Sequence, residues 1–394
     1  MTAAKIILKP KREESLLRFH PWVFSGAIAR IEGSPAEGDI AAIYSANGTL
    51  MGYGHYQIGS IAVRILSFGS DAIDNTFWHK RLSNAYSLRK QLGLTDSEET
   101  TAYRLVHGEG DFLPGLVIDI YGSTAVMQAH SAGMYRSKDI ILQALQQLYG
   151  NRLTAVYDKS AATVPFKAGL DAKDGYLLGT NNESTVKEHG KLFGIDWEEG
   201  QKTGFFLDQR ENRKLLETYS KDANVLNTFC YTGGFSVYAL HGGAKKVVSV
   251  DSSKKAVEQT VANVRLNFGN SDSHYSYALD TFDFLRENAD SYGIIILDPP
   301  AFAKHQSALR NALQAYKRLN VAALARLNKG GLLFTFSCSQ AVSRDAFQNA
   351  VFSAAAISKR NIRILHKLGQ PADHPVSIYH PEGDYLKGLV LQVE

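Results

Sequence analysis

Cysteine is scarce in this chain of 394 residues, which has only two, Cys230 and Cys338. Two cysteines exclude the disulfide framework of a small secreted domain and fit a reducing compartment, so we expect a cytoplasmic location. No apolar run approaches the ~18 residues that a membrane span needs. The basic N-terminus lacks the long apolar core of a signal peptide, so we expect neither a membrane anchor nor a leader.

Acidic residues are absent from one long stretch, Pro299 to Arg344, although the net charge of the whole chain is only +4. The charged residues of this stretch are all basic: Lys304, Arg310, Lys317, Arg318, Arg326, Lys329 and Arg344. Such a concentration of positive charge attracts phosphate groups and permits a nucleic-acid partner. A solvated helix face over 306–327 is the simpler explanation for some of these residues.

The segment 224–240 predicts the centre of an α/β fold. An apolar run from Val225 to Phe229 is typical of a buried strand, and the turn Thr232-Gly233-Gly234 leads into a helical pattern. A strand, a glycine-rich turn and a helix can hold a nucleotide, because the helix N-terminus offers free N–H groups that the glycines leave accessible. Paired glycines are also common in ordinary tight turns, so this segment alone leaves both interpretations open.

The order of the predicted elements indicates three domains. Residues 1–73 have short strands at 5–8, 39–44 and 60–67, as in a small β-barrel, and residues 74–188 mix helices with a hairpin at 102–121. In residues 189–394 we predict strands at 224–229, 246–250, 275–279, 292–297, 331–337, 361–368 and 386–393, and helices at 253–267, 306–327 and 343–358. This alternation predicts a mostly parallel, doubly wound sheet with an antiparallel pair of strands at its edge.

Polar residues follow four of these strands: the Thr232–Gly234 turn, Asp251, Asp280 and Asp298. Ligands of open α/β sheets bind at the carboxyl ends of the strands. Each acid alone fits a solvated cap equally well, but their succession favours an adenosine-type cofactor, with Asp251 at the ribose hydroxyls and Asp280 at the adenine amino group. Asp208 is expected to cap the helix that follows it.

The two cysteines have different expected roles. Cys338 follows the strand 331–337 on the edge where ligands bind, and its basic surroundings are expected to lower the pKa of the thiol and favour a nucleophile. Cys230 lies inside the glycine-rich turn, where we expect a packing residue.

Together these motifs resemble class I S-adenosylmethionine-dependent methyltransferases. More closely, they resemble the bacterial RNA cytosine-5 methyltransferases of large-subunit ribosomal RNA that carry an N-terminal PUA domain. The motifs are Gly38-Asp39-Ile40 in the Lys5–Leu66 barrel, Gly200–Arg210, Phe229–Phe235, Asp298–Phe302, Ser337-Cys338-Ser339, Asp373-His374-Pro375 and Tyr385-Leu386-Lys387. The resemblance covers essentially the whole chain. It implies an α/β fold with a C-terminal class I (Rossmann-like) methyltransferase domain, a small central α/β domain and an N-terminal β-barrel PUA domain.

The resemblance also implies the site. S-adenosyl-L-methionine would be the cofactor and S-adenosyl-L-homocysteine its product, with no metal. The implied cofactor-binding residues are Gln209, Phe229, Tyr231, Thr232, Gly233, Gly234, Asp251, Ser252, Asp280, Asp298 and Pro299. Cys338 would be the nucleophile and Asp298 would hold the cytosine edge. RNA contacts would come from Lys304, Arg310, Lys317, Arg318 and Trp22, although a core position is the simpler explanation for Trp22. The implied partner is 23S ribosomal RNA before full ribosome assembly, and the implied oligomer is a homodimer.

Two features bear on what the resemblance implies. Asn227 stands where the family often has an acid. Pro299-Pro300 replaces the second cysteine that many RNA cytosine-5 methyltransferases carry, so product release would not use a second thiol. The alternatives are ribosomal RNA methylation at uridine carbon 5 or guanine N7, an NAD-dependent oxidoreductase, or a non-catalytic RNA-binding protein. The lack of a G-x-G-x-x-G run argues against the oxidoreductase.

Overall fold

The computed structural model of the chain describes residues 4–165, 169–180, 184–303 and 305–394. The chain forms two compact units. Unit 1 consists of Met1–Val186, Ile195–Leu207 and Ala372–Gly383, and unit 2 consists of Lys187–Gly194, Asp208–Pro371 and Asp384–Glu394. The boundaries of the three domains expected from the sequence stay predictions. In the described parts of the chain, no helix combines the length and the apolar character that crossing a membrane requires.

The N-terminal part of unit 1 is a six-stranded sheet. Its elements are β1 (Ala4–Leu8), α1 (Glu14–Leu17), β2 (Trp22–Phe24), β3 (Ile28–Glu32), β4 (Ile40–Tyr44), β5 (Leu50–Tyr56) and β6 (Ile61–Phe68). The strand order is β2-β6-β5-β4-β1-β3, with β1 and β4 parallel and the other neighbours antiparallel. Alternate residues such as Ile6, Leu8, Val63 and Ile65 form its core. The three strands predicted here are confirmed.

The next part of unit 1 is a five-stranded sheet with helices. Its elements are α2 (Asn75–Gln91), β7 (Ala102–His107), β8 (Leu116–Tyr121), β9 (Thr124–Ala129), α3 (Ala132–Arg136), α4 (Lys138–Tyr149), β10 (Ala155–Asp158) and β11 (Gly175–Leu178). The strand order is β11-β10-β9-β8-β7. Strands β7 and β8 are antiparallel neighbours, which confirms the predicted hairpin.

A hairpin and a helix precede the sheet of unit 2: β12 (Thr185–Glu188), β13 (Lys191–Gly194) and α5 (Arg210–Tyr219). The carboxylate of Glu188 accepts hydrogen bonds from Nε and Nη2 of Arg213 at 2.8 and 2.7 Å, and both side chains are buried. Removing one partner of a buried ion pair leaves an uncompensated charge at a cost of about 3–5 kcal/mol. This pair therefore fixes α5, whose start is close to the site described below.

The remainder of unit 2 is a seven-stranded sheet flanked by helices. Its elements are β14 (Asn224–Thr228), α6 (Gly234–His241), β15 (Lys246–Asp251), α7 (Lys254–Phe268), β16 (His274–Ala278), α8 (Thr281–Glu287), β17 (Tyr292–Leu297), α9 (Leu309–Ala325), β18 (Leu327–Ser337), α10 (Arg344–Ser358), β19 (Ile362–Leu368) and β20 (Lys387–Val393). The strand order is β16-β15-β14-β17-β18-β20-β19. Strand β20 is antiparallel to both its neighbours, and the other neighbours are parallel. The doubly wound sheet and its antiparallel edge are confirmed.

Alternate residues of the central strands face opposite sides of this sheet. Ile295 and Leu297 of β17 belong to one buried cluster, and Ile294 and Ile296 belong to another. A strand covered on both faces reads as a continuous apolar run, which is why 292–297 was predictable from sequence. The polar residues that follow such strands then lie together at the carboxyl edge of the sheet.

Candidate active site

Strand register brings the predicted site segments to one edge. Thr228, the last residue of β14, is paired with Val250 of β15 and with Leu297 of β17. Leu297 is in turn paired with Thr335 of β18. The turn after β14, Asp251, Asp298 and Cys338 therefore follow four neighbouring parallel strands at nearly the same level, as the sequence predicted.

The turn after β14 has an unusual backbone. Phe229, Tyr231 and Gly233 have φ angles of 53°, 47° and 80°, in the left-handed region that bulky residues seldom adopt. The Asp251 carboxylate supports this shape, since Oδ2 accepts a hydrogen bond from the backbone N–H of Tyr231 at 3.0 Å. Its Oδ1 accepts from the N–H of Ser253 at 2.9 Å. Backbone held in sparsely populated conformations concentrates at functional sites.

The glycines of this turn are required by the packing of the protein itself. A Cβ on Gly233 would lie 2.6 Å from Cγ2 of Thr260, and a Cβ on Gly234 would lie 3.0 Å from Cδ of Arg213. Thr260 Oγ1 and Asn263 Nδ2, both on α7, donate to the carbonyls of Tyr231 and Thr232 at 2.8 Å. Close packing against α7 and α5 thus fixes the turn, and the Gly234 end of α6 leaves its first N–H groups facing the edge.

Asp298 follows β17 and is partly buried. Burial raises the pKa of its carboxyl to about 7, and the nearby Asp208 carboxylate adds to the rise. A hydrogen bond with Gln209 and the charge of Arg213 partly oppose it. Asp298 therefore changes protonation state near neutral pH, which is the behaviour of a group that can both donate and accept at a reacting base.

Asp208 does not cap α5, contrary to the prediction from sequence. Its Oδ2 accepts a hydrogen bond from the Tyr385 hydroxyl at 2.6 Å, and Gln209 is the residue that precedes the helix. Its Oδ1 is buried and accepts no hydrogen bond from any described residue. The reason is tertiary, because the partner comes from the segment just before β20. Asp208 thereby becomes a second carboxylate of the site, which sequence reasoning had treated as a local cap.

Cys338 lies just past β18 and is partly exposed, with Sγ 3.9 Å from the carbonyl oxygen of Pro299. Burial raises the pKa of its thiol to about 12, and the charges of Asp298 and Asp208 raise it further, whereas Lys387 opposes the rise. The expectation that basic surroundings lower this pKa is wrong in this structure. The basic residues were close in sequence, but carboxylates are the closer charges in space.

Other predicted cofactor residues have structural partners. The exposed Asp280 caps α8, since its Oδ1 accepts from the backbone N–H groups of Phe282 and Asp283 at 2.8 and 3.1 Å. Ser252 is exposed in the loop after β15. Asn227 is buried, and its Nδ2 donates to Ser236 Oγ at 2.8 Å, so an amide within a serine network replaces the acid that the resemblance led us to expect.

Cys230 is buried, as expected of a packing residue. Its Sγ lies 3.6 Å from Thr260 Oγ1. Burial is the main cause that raises the pKa of its thiol to about 12, and the Asp251 carboxylate adds to the rise.

The predicted RNA-binding residues fall in separate places. Arg310 and Arg318 are exposed on α9, Lys317 on the same helix is partly buried, and Lys304 lies outside the described residues. Trp22 belongs to unit 1, where its Nε1 donates to Glu109 at 2.9 Å and the Arg64 guanidinium lies 5.2 Å from its ring. These contacts give Trp22 a structural role, and its role in RNA binding stays a prediction.

Two residues of the site were missed as functional candidates. Lys387 is 3% exposed and its Nζ donates to the Ser339 carbonyl at 2.7 Å. Tyr385 holds Asp208 as described above. Both belong to the motif Tyr385-Leu386-Lys387, and the only signal available from sequence was the inclusion of that motif in the resemblance.

The edge fits an adenosine-type ligand. Phe229 and Tyr231 are partly exposed aromatic residues, and each Asp251 oxygen keeps a second lone pair for a ribose hydroxyl. Thr232 Oγ1 is buried and makes no hydrogen bond within the described residues, so it offers a polar contact that a ligand would satisfy. The arrangement can therefore hold a nucleoside beside a thiol and two carboxylates.

Comparisons with known proteins point the same way. Residues 6–68 match the PUA-like domain family, and residues 138–382 match the S-adenosylmethionine-dependent methyltransferase family. The ribosomal RNA large subunit methyltransferase I of Alteromonas mediterranea is 42% identical, and the alignment covers 99% of each chain. The protein of the same name from Escherichia coli is 39% identical over 99% of this chain and 100% of its own.

Solved structures give a matching fold over the same length. The crystal structure of SMU.776 complexed with SAH is 25% identical, with a TM-score of 0.85, covering 99% of this chain and 100% of that chain. A structure from Streptococcus mutans is 24% identical with a TM-score of 0.83, covers 99% of this chain and 100% of that chain, and supports the fold alone.

Proposed function

Since this chain belongs to the S-adenosylmethionine-dependent methyltransferase family, we propose that it methylates carbon 5 of a cytosine in ribosomal RNA of the large subunit. It is an enzyme with S-adenosylmethionine as its cofactor. The ribosomal RNA substrate is supported by the names of the two relatives, which align along nearly their whole length. The PUA-like match at residues 6–68 fits an RNA substrate.

The placement of Cys338 carries the choice of a pyrimidine carbon 5 over a nitrogen atom as the site of methylation. This thiol follows β18 beside the loop after β17 that contains Asp298 and Pro299, with its Sγ 3.9 Å from the Pro299 carbonyl. Carbon 5 of a pyrimidine is a poor nucleophile, and addition of a thiolate to carbon 6 makes carbon 5 enolate-like. A methyltransferase acting on a nitrogen atom that is already nucleophilic has no need of such a thiol.

The residues of this chain then have separate tasks. The Cys338 thiolate adds to carbon 6, and the protonated Asp298 carboxyl donates a hydrogen bond to N3 of the cytosine, where negative charge collects. When bound, S-adenosylmethionine supplies an electrophilic methyl group on its sulfonium. After carbon 5 loses its proton to a base, Cys338 is eliminated from carbon 6 as a thiolate. The cofactor would be held and oriented by the Phe229–Gly234 turn, Asp251 and Gln209.

RNA would be held by backbone contacts more than by base reading. Trp22 of the PUA-like domain would supply an aromatic group that recognises the shape of the RNA. Helix α9 would supply basic groups for the phosphates, from the exposed Arg310 and Arg318 and from Lys317. Lys304 stays a candidate for the same role. A paired cytosine would have to leave its helix to reach Cys338. We therefore propose 23S RNA before full ribosome assembly as the substrate, in the cytoplasm, with a homodimer as the working assembly.

The test is methyl transfer from labelled S-adenosylmethionine to ribosomal RNA that lacks its native methylations, followed by nucleoside analysis. We expect label in 5-methylcytidine with the unchanged protein and none with Cys338→Ala, because the thiol must add to carbon 6 before carbon 5 can react. Calorimetric titration of both proteins with S-adenosylhomocysteine serves as the folding control and should give equal affinities.

Other outcomes separate the remaining reactions. Label in 5-methyluridine that disappears in Cys338→Ala would keep the thiol mechanism and change the base. Label in 7-methylguanosine that survives the substitution would overturn the role of Cys338, because guanine N7 is already nucleophilic.

A further inference from the structure

We propose that Lys387 is a positioning residue for Cys338: its ammonium group holds the loop that carries the nucleophile and stabilises the thiolate by its charge. This inference rests on the proposed function, in which Cys338 attacks as a thiolate. It adds a residue of the antiparallel strand β20 to the site residues that follow the parallel strands.

Strand register places Lys387 beside the nucleophile. Strand β20 runs antiparallel to β18, and Lys387 is paired with Ser337, the residue immediately before Cys338. The Lys387 side chain extends past Cys338, since its Nζ donates to the carbonyl oxygen of Ser339, the residue immediately after it, at 2.7 Å. Lys387 therefore contacts the backbone on both sides of the nucleophile.

The burial of Lys387 needs an explanation other than stability. Lysine is almost never fully buried without a partner of opposite charge, yet Lys387 is only 3% exposed. No described carboxylate lies within 4.0 Å of its Nζ, and the Ser339 carbonyl is its hydrogen-bond acceptor in the described part of the chain. Burying an ammonium group against one neutral carbonyl is costly, so a role in the chemistry is the better explanation.

The other contacts of the nucleophile loop are neutral. Ser339 Oγ accepts a hydrogen bond from the backbone N–H of Ala303 at 3.3 Å and lies 3.0 Å from the Tyr316 hydroxyl. These bonds tie the loop to the segment after Asp298 and to α9. They fix the position of the loop but add no formal charge. Of these contacts, the one with Lys387 is the one that can stabilise a thiolate by charge.

The charges around Cys338 have opposite effects on the pKa of its thiol. Asp298 and Asp208 both raise the pKa of its thiol, and Lys387 is a cation that lowers it. Burial lowers the pKa of Lys387 to about 8, while Cys338 and Asp384 raise it and Arg344 lowers it. Lys387 thus carries a positive charge over most of the neutral range, beside a group that reacts only when it is negative.

Two substitutions test the charge and its position. Lys387→Met keeps a long apolar stem without the charge, and Lys387→Arg restores a cation. The measurement is the rate of Cys338 alkylation by iodoacetamide as a function of pH, followed on its own peptide by mass spectrometry so that Cys230 does not interfere. At about pH 7 we expect Cys338 of Lys387→Met to be alkylated about tenfold more slowly than Cys338 of the unchanged protein, because loss of the cation raises the pKa of the thiol and lowers its thiolate fraction. The rate for Lys387→Arg should lie near the original.

Methyl transfer gives the second readout. At neutral pH, a rise of one unit in the pKa of the Cys338 thiol lowers its thiolate fraction about tenfold. We expect kcat of Lys387→Met to fall by about that factor near pH 7 and KM for RNA to stay unchanged. The loss should shrink above about pH 8, because there Lys387 of the unchanged protein also loses its charge. A structural defect alone would lower kcat equally at every pH.

A second buried lysine in unit 2 provides the matched control. Lys191 is 5% exposed, and its Nζ donates to the His189 carbonyl at 3.2 Å and lies 3.1 Å from Oε1 of Glu217. Lys191→Met therefore also removes a buried ammonium group, in this case one with a carboxylate partner. In Lys191→Met the rate of Cys338 alkylation at about pH 7 should not change. An unchanged rate in Lys387→Met, in protein that still binds S-adenosylhomocysteine, would overturn the proposal. Because alkylation needs no RNA, this result stands even if Cys338→Ala keeps its activity and the proposed function fails.

Discussion

Asp298 is the residue whose burial has the clearest consequence for pH. Its pKa is raised from 3.8 to about 7, by burial first and then by Asp208. Between those two values the folded state keeps a proton that the unfolded state releases, so the free energy of unfolding falls as the pH rises through this window and then levels off. The ionised carboxylate thus lowers stability above about pH 7, and such a cost in stability is common for functional groups.

Asp298→Asn should remove this dependence, because an amide does not ionise. We expect its melting temperature to exceed that of the unchanged protein at about pH 8 and the difference to narrow toward about pH 5, measured by scanning calorimetry. A difference that stays constant across the range would show that Asp298 does not titrate there. The same variant should lose methyl transfer, since the amide cannot supply the proton-sharing group at N3.

Gly233 is a second residue at which a substitution has a predictable effect, in this case on ligand binding. Its φ is +80°, and a Cβ would lie 2.6 Å from Cγ2 of Thr260, so Gly233→Ala must shift either α7 or the turn. We expect at least tenfold weaker binding of S-adenosylhomocysteine in calorimetric titration, since displacing well-packed backbone by a fraction of an ångström costs about 1–3 kcal/mol.

Gly269 gives the matched control for this substitution. It also has a positive φ, +65°, at the end of α7, but a Cβ there would meet no atom within 4 Å in the described structure. Gly269→Ala should lose about 1 kcal/mol of stability through backbone strain and keep its affinity for the ligand. Equal affinities in the two variants would show that contact with Thr260 does not control the site.

At the scale of elements, the strands and helices of the sheet in unit 2 were predictable because each gives a local signal. The run 292–297 is buried on both faces and reads as continuous apolar sequence, and the observed strand has the same bounds. Strand β18 begins at Leu327, before the predicted 331, because Lys329-Gly330 interrupts the apolar pattern with turn residues. Strands β2, β3 and β5 are short or polar on one face and gave too weak a signal to be predicted.

The candidate site likewise has a part that was predictable from the sequence and a part that was not. The turn at 229–234, Asp251, Asp298 and Cys338 follow consecutive strands, so their meeting at one edge could be predicted once the sheet was assumed parallel. The contacts of Asp208 with Tyr385 and of Ser339 with Lys387 join segments far apart in the chain. They depend on β20 entering between β18 and β19, and no local pattern specifies the order of strands in a sheet.

At the scale of the whole molecule, the chain passes several times between its two units. Ile195–Leu207 and Ala372–Gly383 belong to unit 1, although the residues on either side of each belong to unit 2. Within unit 1, Thr203 Oγ1 donates to the buried Asp119 at 2.6 Å, and Arg89 Nη2 donates to the Asp373 carbonyl at 2.6 Å. Unit 1 is therefore completed by two segments that lie far along the sequence from residues 1–186.

Truncation at the predicted domain boundary tests this organisation. A fragment of residues 1–188 keeps the sheets of unit 1 but loses Trp197, Phe205 and Leu207, which are at most 4% exposed in the full chain. Their loss uncovers apolar surface at about 25 cal/mol per Å² and leaves Asp119 without Thr203. We expect this fragment to bind a hydrophobic dye and to melt without a cooperative transition. A fragment of residues 1–207 restores one missing segment and should melt at a higher temperature. Equal, cooperative melting of both fragments would show that residues 1–188 already form an independent domain.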